Sequence, residues 1–366
     1  MTIKNQVLQL AMQIQQIPAP TFGEKERSEF IYNKFKKEDL LNVEVDQTGN
    51  VLAKLPGTNN SPPLIVSAHS DTVFPKETIL KISRETGKIS GPGIGDNSLG
   101  AAGLFGLIWS LRKRKTLLPG DLWLVANTCE EGLGNLRGMT AVVDRFTDEP
   151  LAYIVVEGMA LGQIFHKGLG VKRYQIEAKG YGGHSWVDHG TPSAIHELAS
   201  LMTKITAIEL PKIPRTTLNV GVIEGGTTVN TIAAEARLQL DLRSTSKKTL
   251  RELAQQVEHL VNASSKHNLK LQAKVIGERP AGSIPANHPL VKLAVRIMKE
   301  KGIKSELNIG STDANIPLSR GYPSICIGLT SGSGAHTINE YINTDPIEVG
   351  LMQFVDIVEQ SYDALK

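Results

Sequence analysis

The sequence predicts an α/β protein with a mostly parallel sheet flanked by helices and an inserted α+β domain. Four apolar runs are short and continuous, which is typical of strands buried on both faces, and helical segments separate them, which favours a parallel sheet. These runs are residues 64–68, 122–126, 151–156 and 324–329. Residues 232–242 instead alternate apolar and polar side chains, as half-exposed antiparallel strands do. We therefore expect one α/β domain in two parts, 1–167 and 278–366, around a second domain, 168–277.

The remaining elements follow from apolar periodicity and from helix-breaking residues. Pro18 and Pro20 end an opening helix, because proline cannot continue one. In the α/β domain we expect helices over 5–17, 24–36, 99–111, 136–146 and 349–365. In the second domain we expect strands over 171–179, 217–223 and 269–276, and helices over 193–205 and 247–263.

Composition disfavours several classes of protein. The 366 residues are 40% hydrophobic and 21% charged, as in ordinary globular chains of two domains. The 40 Lys and Arg residues nearly balance the 37 Asp and Glu residues, which disfavours a nucleic-acid partner. Two cysteines do not make a disulfide framework. The N-terminus lacks the apolar core of a signal peptide, and no apolar stretch approaches the roughly 20 residues of a membrane span, so we expect a cytoplasmic protein.

Acidic residues and histidines follow the predicted strands, at the edge where open α/β sheets bind ligands. The residues at this level are His69, Asp71, Glu130, Glu131, Glu157 and His336, and a tight loop just before a helix adds Asp96. A single such residue after a strand is usually a satisfied polar group, but several at one level indicate a shared site. Histidine with carboxylates, without cysteine, suits zinc or another divalent first-row metal.

Spacing indicates roles for two pairs of these residues. His69 and Asp71 are two residues apart and point to the same side of an extended chain, so Asp71 can orient the imidazole. Glu130 and Glu131 are adjacent and diverge, so one can bind metal while the other acts as a general base. A serine hydrolase is disfavoured, because Ser98 does not lie in a nucleophile elbow.

Several longer stretches together resemble one known family. They are SAHSDTVFP (67–75), GPGIGDNSLGAAGL (91–104), NTCEEGLGNLRG (127–138), VVEG (155–158), GYGGHSW (180–186), NVGVIEGGTTVNTI (219–232), DLRS (241–244) and GSGAHTINE (332–340). In this order they are similar to the co-catalytic zinc peptidases and deacylases, which include peptidase T, glutamate carboxypeptidase, aminoacylase, acetylornithine deacetylase and succinyl-diaminopimelate desuccinylase. The resemblance implies a zinc-binding catalytic domain with an inserted lid and dimerisation domain.

The resemblance also implies two sets of metal ligands. One zinc ion would be held by His69, Asp96 and Glu157. The other would be held by Asp96, Glu131 and His336, so that Asp96 bridges the two ions. Two zinc ions per chain are therefore expected, with Co²⁺ or Mn²⁺ able to substitute.

Five further residues take roles from the same resemblance. Asp71 would orient a metal-binding histidine, and Glu130 would be the general base. In the lid, His184 stands where the family uses a histidine to stabilise the tetrahedral oxyanion, often across a dimer. Asn230 and Arg243 stand where the family contacts the substrate, and the planar fork of an arginine suits a carboxylate.

The predicted function is hydrolysis of an amide bond at a dinuclear zinc site. A small peptide is the first choice of substrate, with the protein acting as an exopeptidase of the di- or tripeptidase kind. An N-acyl amino acid, cleaved by a deacetylase or desuccinylase, is the alternative. A non-catalytic binding protein is disfavoured because Glu130 and all the ligands are present. The resemblance also implies a homodimer formed through the lid domain, and a monomer whose own lid closes is the alternative.

Overall fold

A computed structural model describes residues 1–147 and 150–366 of the chain, which folds as two units. Unit 1 comprises Met1–Gly168 and Ser283–Lys366, and unit 2 comprises Leu169–Gly282. The boundary expected at residue 277 falls inside a strand that continues to Arg279, because the last residues of that strand still pair with their neighbour. The chain therefore returns to unit 1 a few residues later than the sequence pattern indicates.

Helices and strands are numbered in chain order. The helices are α1 Ile3–Gln15, α2 Lys25–Lys36, α3 Leu99–Arg114, α4 Arg137–Phe146, α5 Ala194–Thr206, α6 Lys247–Ser264, α7 Pro289–Glu300, α8 Asn315–Ser319 and α9 Ile347–Ala364. The strands are β1 Leu41–Val45, β2 Val51–Leu55, β3 Ser61–His69, β4 Ser83–Glu85, β5 Lys88–Ser90, β6 Gly120–Asn127, β7 Ala152–Glu157, β8 Gln163–Gly168, β9 Gly170–Gly180, β10 Gly183–His184, β11 Thr216–Gly225, β12 Thr231–Ile232, β13 Glu235–Ser244, β14 Leu269–Arg279, β15 Gly282–Ser283, β16 Glu306–Gly310, β17 Ser324–Gly328, β18 Gly332–Ser333 and β19 Tyr341–Asn343.

Parallel strands form the centre of the large sheet in unit 1. Within the described residues the strand order is β1-β2-β6-β3-β7-β17-β8-β15, and β16 also pairs with β8. β3 pairs in parallel with β6 and β7, and β7 pairs in parallel with β17. These strands contain the four apolar runs apart from their end residues, and the Val, Ile and Leu side chains within the strands are buried. The predicted α/β class with a mostly parallel sheet is confirmed.

Three strand pairs on either side of this parallel centre are antiparallel, which the sequence pattern does not indicate. β1 pairs with β2, β2 with β6, and β17 with β8, all in the antiparallel sense. The edge strand β1 leaves Leu41 and Val45 exposed, so its apolar residues form no continuous buried run. A second, smaller sheet of unit 1 has the order β18-β19-β5-β4.

The helices of unit 1 bury its apolar core against the large sheet. α3 packs on β3 and β7, and α1 and α9 pack on α3. The helix α3 is apolar on every side from Leu99 to Leu111, as expected for a helix enclosed by other elements. Among the described residues no helix has the length and apolarity needed to cross a bilayer.

Unit 2 is an antiparallel sheet with two helices. The strand order is β11-β13-β9-β14, and α5 and α6 pack on β9 and β13. The side chains of Leu238, Leu240 and Leu242 are buried, and the polar residues between them are at least partly exposed. The alternation predicted from residue 232 begins only at Glu235, because β12 ends at Ile232 and Ala233, not Ala234, is buried.

Candidate metal centre

The carboxyl ends of β3, β6 and β7 bring the predicted acidic residues and histidines of unit 1 together. β3 ends at His69 and β7 ends at Glu157. β6 ends at Asn127, and the chain then runs through Glu130 and Glu131. Because these parallel strands are neighbours, their last residues meet at one edge of the sheet.

The imidazole of His69 faces two carboxylates. Its Nε2 atom lies 3.0 Å from Asp96 Oδ1 and 3.6 Å from Glu157 Oε2. The side chain of His69 is buried, whereas those of Asp96 and Glu157 are partly accessible. These three donor groups are the first predicted ligand set.

The imidazole of His336 faces the second set in the same way. Its Nε2 atom lies 3.1 Å from Asp96 Oδ2 and 3.1 Å from Glu131 Oε1. The two oxygens of Asp96 therefore face two different imidazoles. Donor atoms of His69, Asp96 and Glu131 also lie within 4.8 Å of one another.

The loop that carries Asp96 is anchored on both sides. After it, the Asn97 side chain donates to the carbonyl of Val156 at 2.9 Å and accepts the N–H of Gly158 at 2.8 Å. Before it, the backbone N–H groups of the loop donate to the buried carboxylate of Glu340. The position of Asp96 between the two imidazoles is therefore set by contacts of the neighbouring residues.

Asp71 lies behind His69 and holds the segment that follows β6. His69 Nδ1 lies 3.1 Å from the backbone oxygen of Asp71 and 3.6 Å from its carboxylate. The carboxylate of Asp71 accepts the N–H groups of Glu130 at 3.0 Å and Glu131 at 2.9 Å. The hydroxyl of Thr21 donates to the same carboxylate at 2.8 Å. Asp71 thus contacts the histidine and also fixes the backbone of both glutamates.

Several carboxylates lie close to the two imidazoles, and this arrangement shifts the pKa values of both kinds of group. Burial alone lowers the pKa of His69, but the charge of Glu157 and hydrogen bonds to carboxylates raise it well above its usual value. Hydrogen bonds to Asp96 and Glu131 raise the pKa of His336 to about 10. Burial opposes ionisation of Asp96, yet its hydrogen bonds to both histidines hold its pKa below the usual range. Burial, with the charges of Asp96 and Glu131, raises the pKa of Glu157.

The donor set fits divalent first-row metals. It offers imidazole nitrogens and carboxylate oxygens, which zinc, cobalt and manganese accept. The carboxylate of Asp96, with one oxygen toward each histidine, fits a pair of ions that share it. A cation here would displace protons from His69 and His336, because both imidazoles are held protonated by the carboxylates.

Sequence reasoning misses three residues that support this centre. Arg27 is fully buried and donates to the backbone carbonyl of Ser70, the residue between His69 and Asp71. Asp313 is buried and accepts from the Asn127 side chain at 2.7 Å, and burial raises the pKa of Asp313 to about 7. Burial likewise raises the pKa of Glu340 to about 7, against its backbone hydrogen bonds, which lower it. Glu340 lies in the motif GSGAHTINE, but a Glu in a polar loop carries no signal of burial.

His184 and Asn230 lie together in unit 2. β10, which contains His184, pairs with β12, and the carbonyl of Asn230 accepts the N–H of Ser185 at 3.1 Å. The Nδ1 atom of His184 accepts the N–H of Trp186 at 3.2 Å and of Val187 at 3.4 Å. Because Nδ1 accepts, the neutral ring carries its proton on Nε2, where it can be donated.

Arg243 is separated from this pair. It lies near the end of β13, and its Nε atom donates to Asp241 at 2.6 Å. The other end of β13, at Glu235, is the end near His184, because the chain reaches it directly from β12. Eight residue steps separate Glu235 from Arg243, which is roughly 27 Å along a strand. The structure therefore does not bring Arg243 together with His184 and Asn230 inside unit 2.

The fold and the cluster of histidines and carboxylates at its strand ends place the chain in a class of metal-dependent hydrolases. The chain belongs to peptidase family M20/M25/M40, whose sequence model matches residues 65–360. This confirms the family resemblance and defines the protein as a hydrolase of a metallopeptidase family.

Relatives match the chain over nearly its whole length. The succinyl-diaminopimelate desuccinylase of Corynebacterium glutamicum is 26% identical over 350 residues, which are 92% of each protein. The structure of aminopeptidase PepT from Bacillus cereus superposes with a TM-score of 0.81 at 22% identity, covering 98% of both chains. A dinuclear metal-binding M20 peptidase from Bacillus subtilis superposes with a TM-score of 0.73 at 15% identity, covering 99% of this chain and 98% of the other. At these identities the two structures establish the fold.

Proposed function

We propose that the chain is a dinuclear metal-dependent exopeptidase that hydrolyses an amide bond of small peptides. The observation that carries the proposal is the position of Asp96. Its two oxygens lie 3.0 and 3.1 Å from the Nε2 atoms of His69 and His336, and each imidazole also faces one glutamate. An arrangement of this symmetry suits two cations bridged by one carboxylate.

The proposed ligands divide between two ions. His69, Asp96 and Glu157 hold one ion, and Asp96, Glu131 and His336 hold the other. Zinc is proposed as the resident metal, with Co²⁺ or Mn²⁺ as substitutes, because the ligands are imidazoles and carboxylates. When bound, the two ions polarise the scissile carbonyl and make the attacking water more acidic.

Glu130 is the proposed general base. Its backbone N–H is fixed by the Asp71 carboxylate at 3.0 Å, and the residue is buried beside the ligand Glu131. Oε1 of Glu131 lies 3.1 Å from His336 Nε2, which suits a ligand of the second ion, so the role toward the attacking water is assigned to its neighbour Glu130. Glu130 takes a proton from the attacking water and returns it to the amine that leaves.

His184 is the proposed donor to the oxyanion. The N–H groups of Trp186 and Val187 direct protons at its Nδ1, so Nε2–H is the donor in the neutral ring. Asn230, next to His184, is proposed to contact the substrate from the same side. Arg243 is proposed to bind a substrate carboxylate through its planar fork.

The placement of His184 and Arg243 toward opposite ends of β13 supports a homodimer. Arg243 lies roughly 27 Å along β13 from Glu235, the end of the strand that the chain reaches directly from β12, the partner strand of His184. We therefore propose that His184 completes the site of a partner copy. Mixing the inactive variants His184→Ala and Glu130→Gln tests this, because a mixed dimer then has one site with both residues intact. Recovered activity supports the dimer, and no recovery after demonstrated subunit exchange contradicts it.

Substrate preference is tested on a matched panel. Protein stripped of metal and reloaded with Zn²⁺ is offered di- and tripeptides with free N-termini, and N-acetyl and N-succinyl amino acids. The proposal expects metal-dependent release of amino acids from peptides, and Glu130→Gln serves as the control. Faster cleavage of the acylated amino acids identifies a deacylase, a second candidate favoured by the match to the desuccinylase over 92% of both chains. Turnover that survives removal of the metal contradicts both candidates.

A further inference from the structure

Glu340 places a buried carboxylate directly under the loop that carries Asp96. Its side chain is fully buried. Oε1 accepts the N–H of Gly95 at 2.7 Å and the N–H of Asp96 at 2.8 Å, and Oε2 accepts the N–H of Gly93 at 2.8 Å. Both oxygens are therefore used, and all three donors belong to one turn of the loop 91–96.

The conformation of this loop is what makes its N–H groups converge. Gly93 has a φ of +75°, in the left-handed region that glycine adopts readily. At Gly95 a Cβ atom would lie 2.7 Å from Met159 Cγ, so a side chain there would require its neighbours to move. Successive N–H groups turned to one side form a concave site for an anion, and the Glu340 carboxylate fills it.

The same residue continues the loop that carries His336. Within that loop the N–H of Thr337 donates to Gly334 at 3.0 Å, and the N–H of Glu340 donates to Thr337 at 3.2 Å. The backbone oxygen of Glu340 accepts the N–H of Gly91 at 2.9 Å, in line with the pairing of β19 and β5. One residue thus joins the segments that present Asp96 and His336.

We infer that Glu340 is a positioning residue for the metal pair, which fixes the bridging carboxylate and the His336 loop relative to each other. The inference rests on the proposed function, because it assigns a role toward the ions that Asp96 and His336 are proposed to hold. Glu340 itself touches neither ion nor substrate. Its effect is carried by the backbone of Asp96, whose oxygens must face two histidines at once.

The variant Glu340→Gln tests this role. The amide nitrogen of Gln cannot accept a hydrogen bond, so at least the N–H of Gly93 or those of Gly95 and Asp96 lose their acceptor. Outer partners of metal ligands typically contribute about 10- to 100-fold to metal affinity, and we expect a loss of this size for Zn²⁺. The dissociation constants are measured by competition with a chelator, and the unfolding temperature is measured on the metal-free protein.

Tyr362→Phe is the matched control, and Glu340→Asp is the second variant. The Tyr362 hydroxyl donates to the carbonyls of Gly120 at 2.9 Å and Asp121 at 3.1 Å, at the start of β6, opposite the ligand end. We expect this control to lower the unfolding temperature without changing the affinity for Zn²⁺. Glu340→Asp keeps the charge but shortens the side chain, so it should also weaken Zn²⁺ binding. If Glu340→Gln does not fold, Glu340→Asp is the variant that tests the inference.

The outcomes separate the inference from the function on which it rests. Two bound Zn²⁺ ions in the wild type, with at least tenfold weaker binding in a folded Glu340 variant, support the inference. Wild-type affinity in Glu340→Gln and Glu340→Asp overturns it, as does an equal loss in Tyr362→Phe. A wild-type protein that binds no Zn²⁺ overturns the proposed function instead.

Discussion

The pH dependence of metal binding is a direct consequence of the charges around His336. In the metal-free protein, hydrogen bonds to Asp96 and Glu131 raise the pKa of His336 to about 10. A metal ion binds only the neutral imidazole, so it must displace this proton. Between pH 7 and pH 9 the neutral fraction of a group with this pKa rises about 90-fold, or nearly tenfold for each pH unit. A histidine with an ordinary pKa near 6.5 would give only about a 1.3-fold change.

The assay is a titration of the metal-free protein with Mn²⁺ at pH 7, 8 and 9 and constant ionic strength. We expect the apparent dissociation constant of the ion bound through His336 to fall nearly tenfold per pH unit, with release of a proton that calorimetry in different buffers detects. The NMR titration of the histidine rings provides the control, because burial lowers the pKa of His288 whereas carboxylates raise that of His336. A flat affinity between pH 7 and pH 9, with His336 titrating near pH 6.5, would refute this reasoning.

Three further predictions follow from the same centre. Glu130→Gln should retain the metal and lose about 10²- to 10⁴-fold in kcat, whereas Glu131→Gln should lose metal. Equal metal loss in both variants would contradict the division of roles between the two glutamates. Arg27→Met should reduce the free energy of unfolding by about 3–5 kcal/mol, because it removes a buried cation near the carboxylates of Asp71 and Glu24. Unfolding in urea measures this, and a loss below about 1 kcal/mol would contradict it. The metal-free protein should lose stability as pH rises from 6.5 through about 10, because the folded state holds the His336 proton more tightly than the unfolded state does. Thermal unfolding measured over this pH range checks this, and a wild type and His336→Ala that share one pH dependence would contradict it.

The centre of the fold is predictable from sequence because burial on both faces leaves a strong pattern. The strands β3, β6, β7 and β17 are continuous apolar runs, and the chemistry follows at their carboxyl ends. The edge strands leave no such pattern, since exposed Leu41 and Val45 in β1 do not distinguish a strand from a loop. Whether an edge strand pairs in the parallel or antiparallel sense depends on how the connecting segment brings the chain back to the sheet. The periodicity of the strand's own residues does not indicate this.

The proposed ligands could be named from sequence, but their supports could not. The resemblance by motif names His69, Asp96 and His336, whose side chains lie within hydrogen-bonding distance in the structure. Glu340 and Arg27 are charged residues whose neighbours in the sequence are largely polar, a pattern more typical of solvent-exposed side chains. Their burial depends on backbone groups of distant segments that converge on them only in the folded chain.

Arg243 illustrates a different limit of sequence reasoning. Its 13-residue separation from Asn230 is compatible with a shared site until the strand register is known. The antiparallel pairing of β13 with β9 is continuous from Glu235 to Ser244, which keeps β13 extended and carries Arg243 to the far end. Only this register separates the residue from His184.

The most direct test of the account is a crystal structure of the protein loaded with Zn²⁺, with anomalous scattering measured at the zinc edge. The account predicts two zinc peaks about 3.5–4 Å apart, both bonded to Asp96. One peak should also be bonded to His69 and Glu157, and the other to Glu131 and His336, with ligand distances of about 2.0–2.2 Å. A single peak, or two peaks that do not share Asp96, would contradict the account.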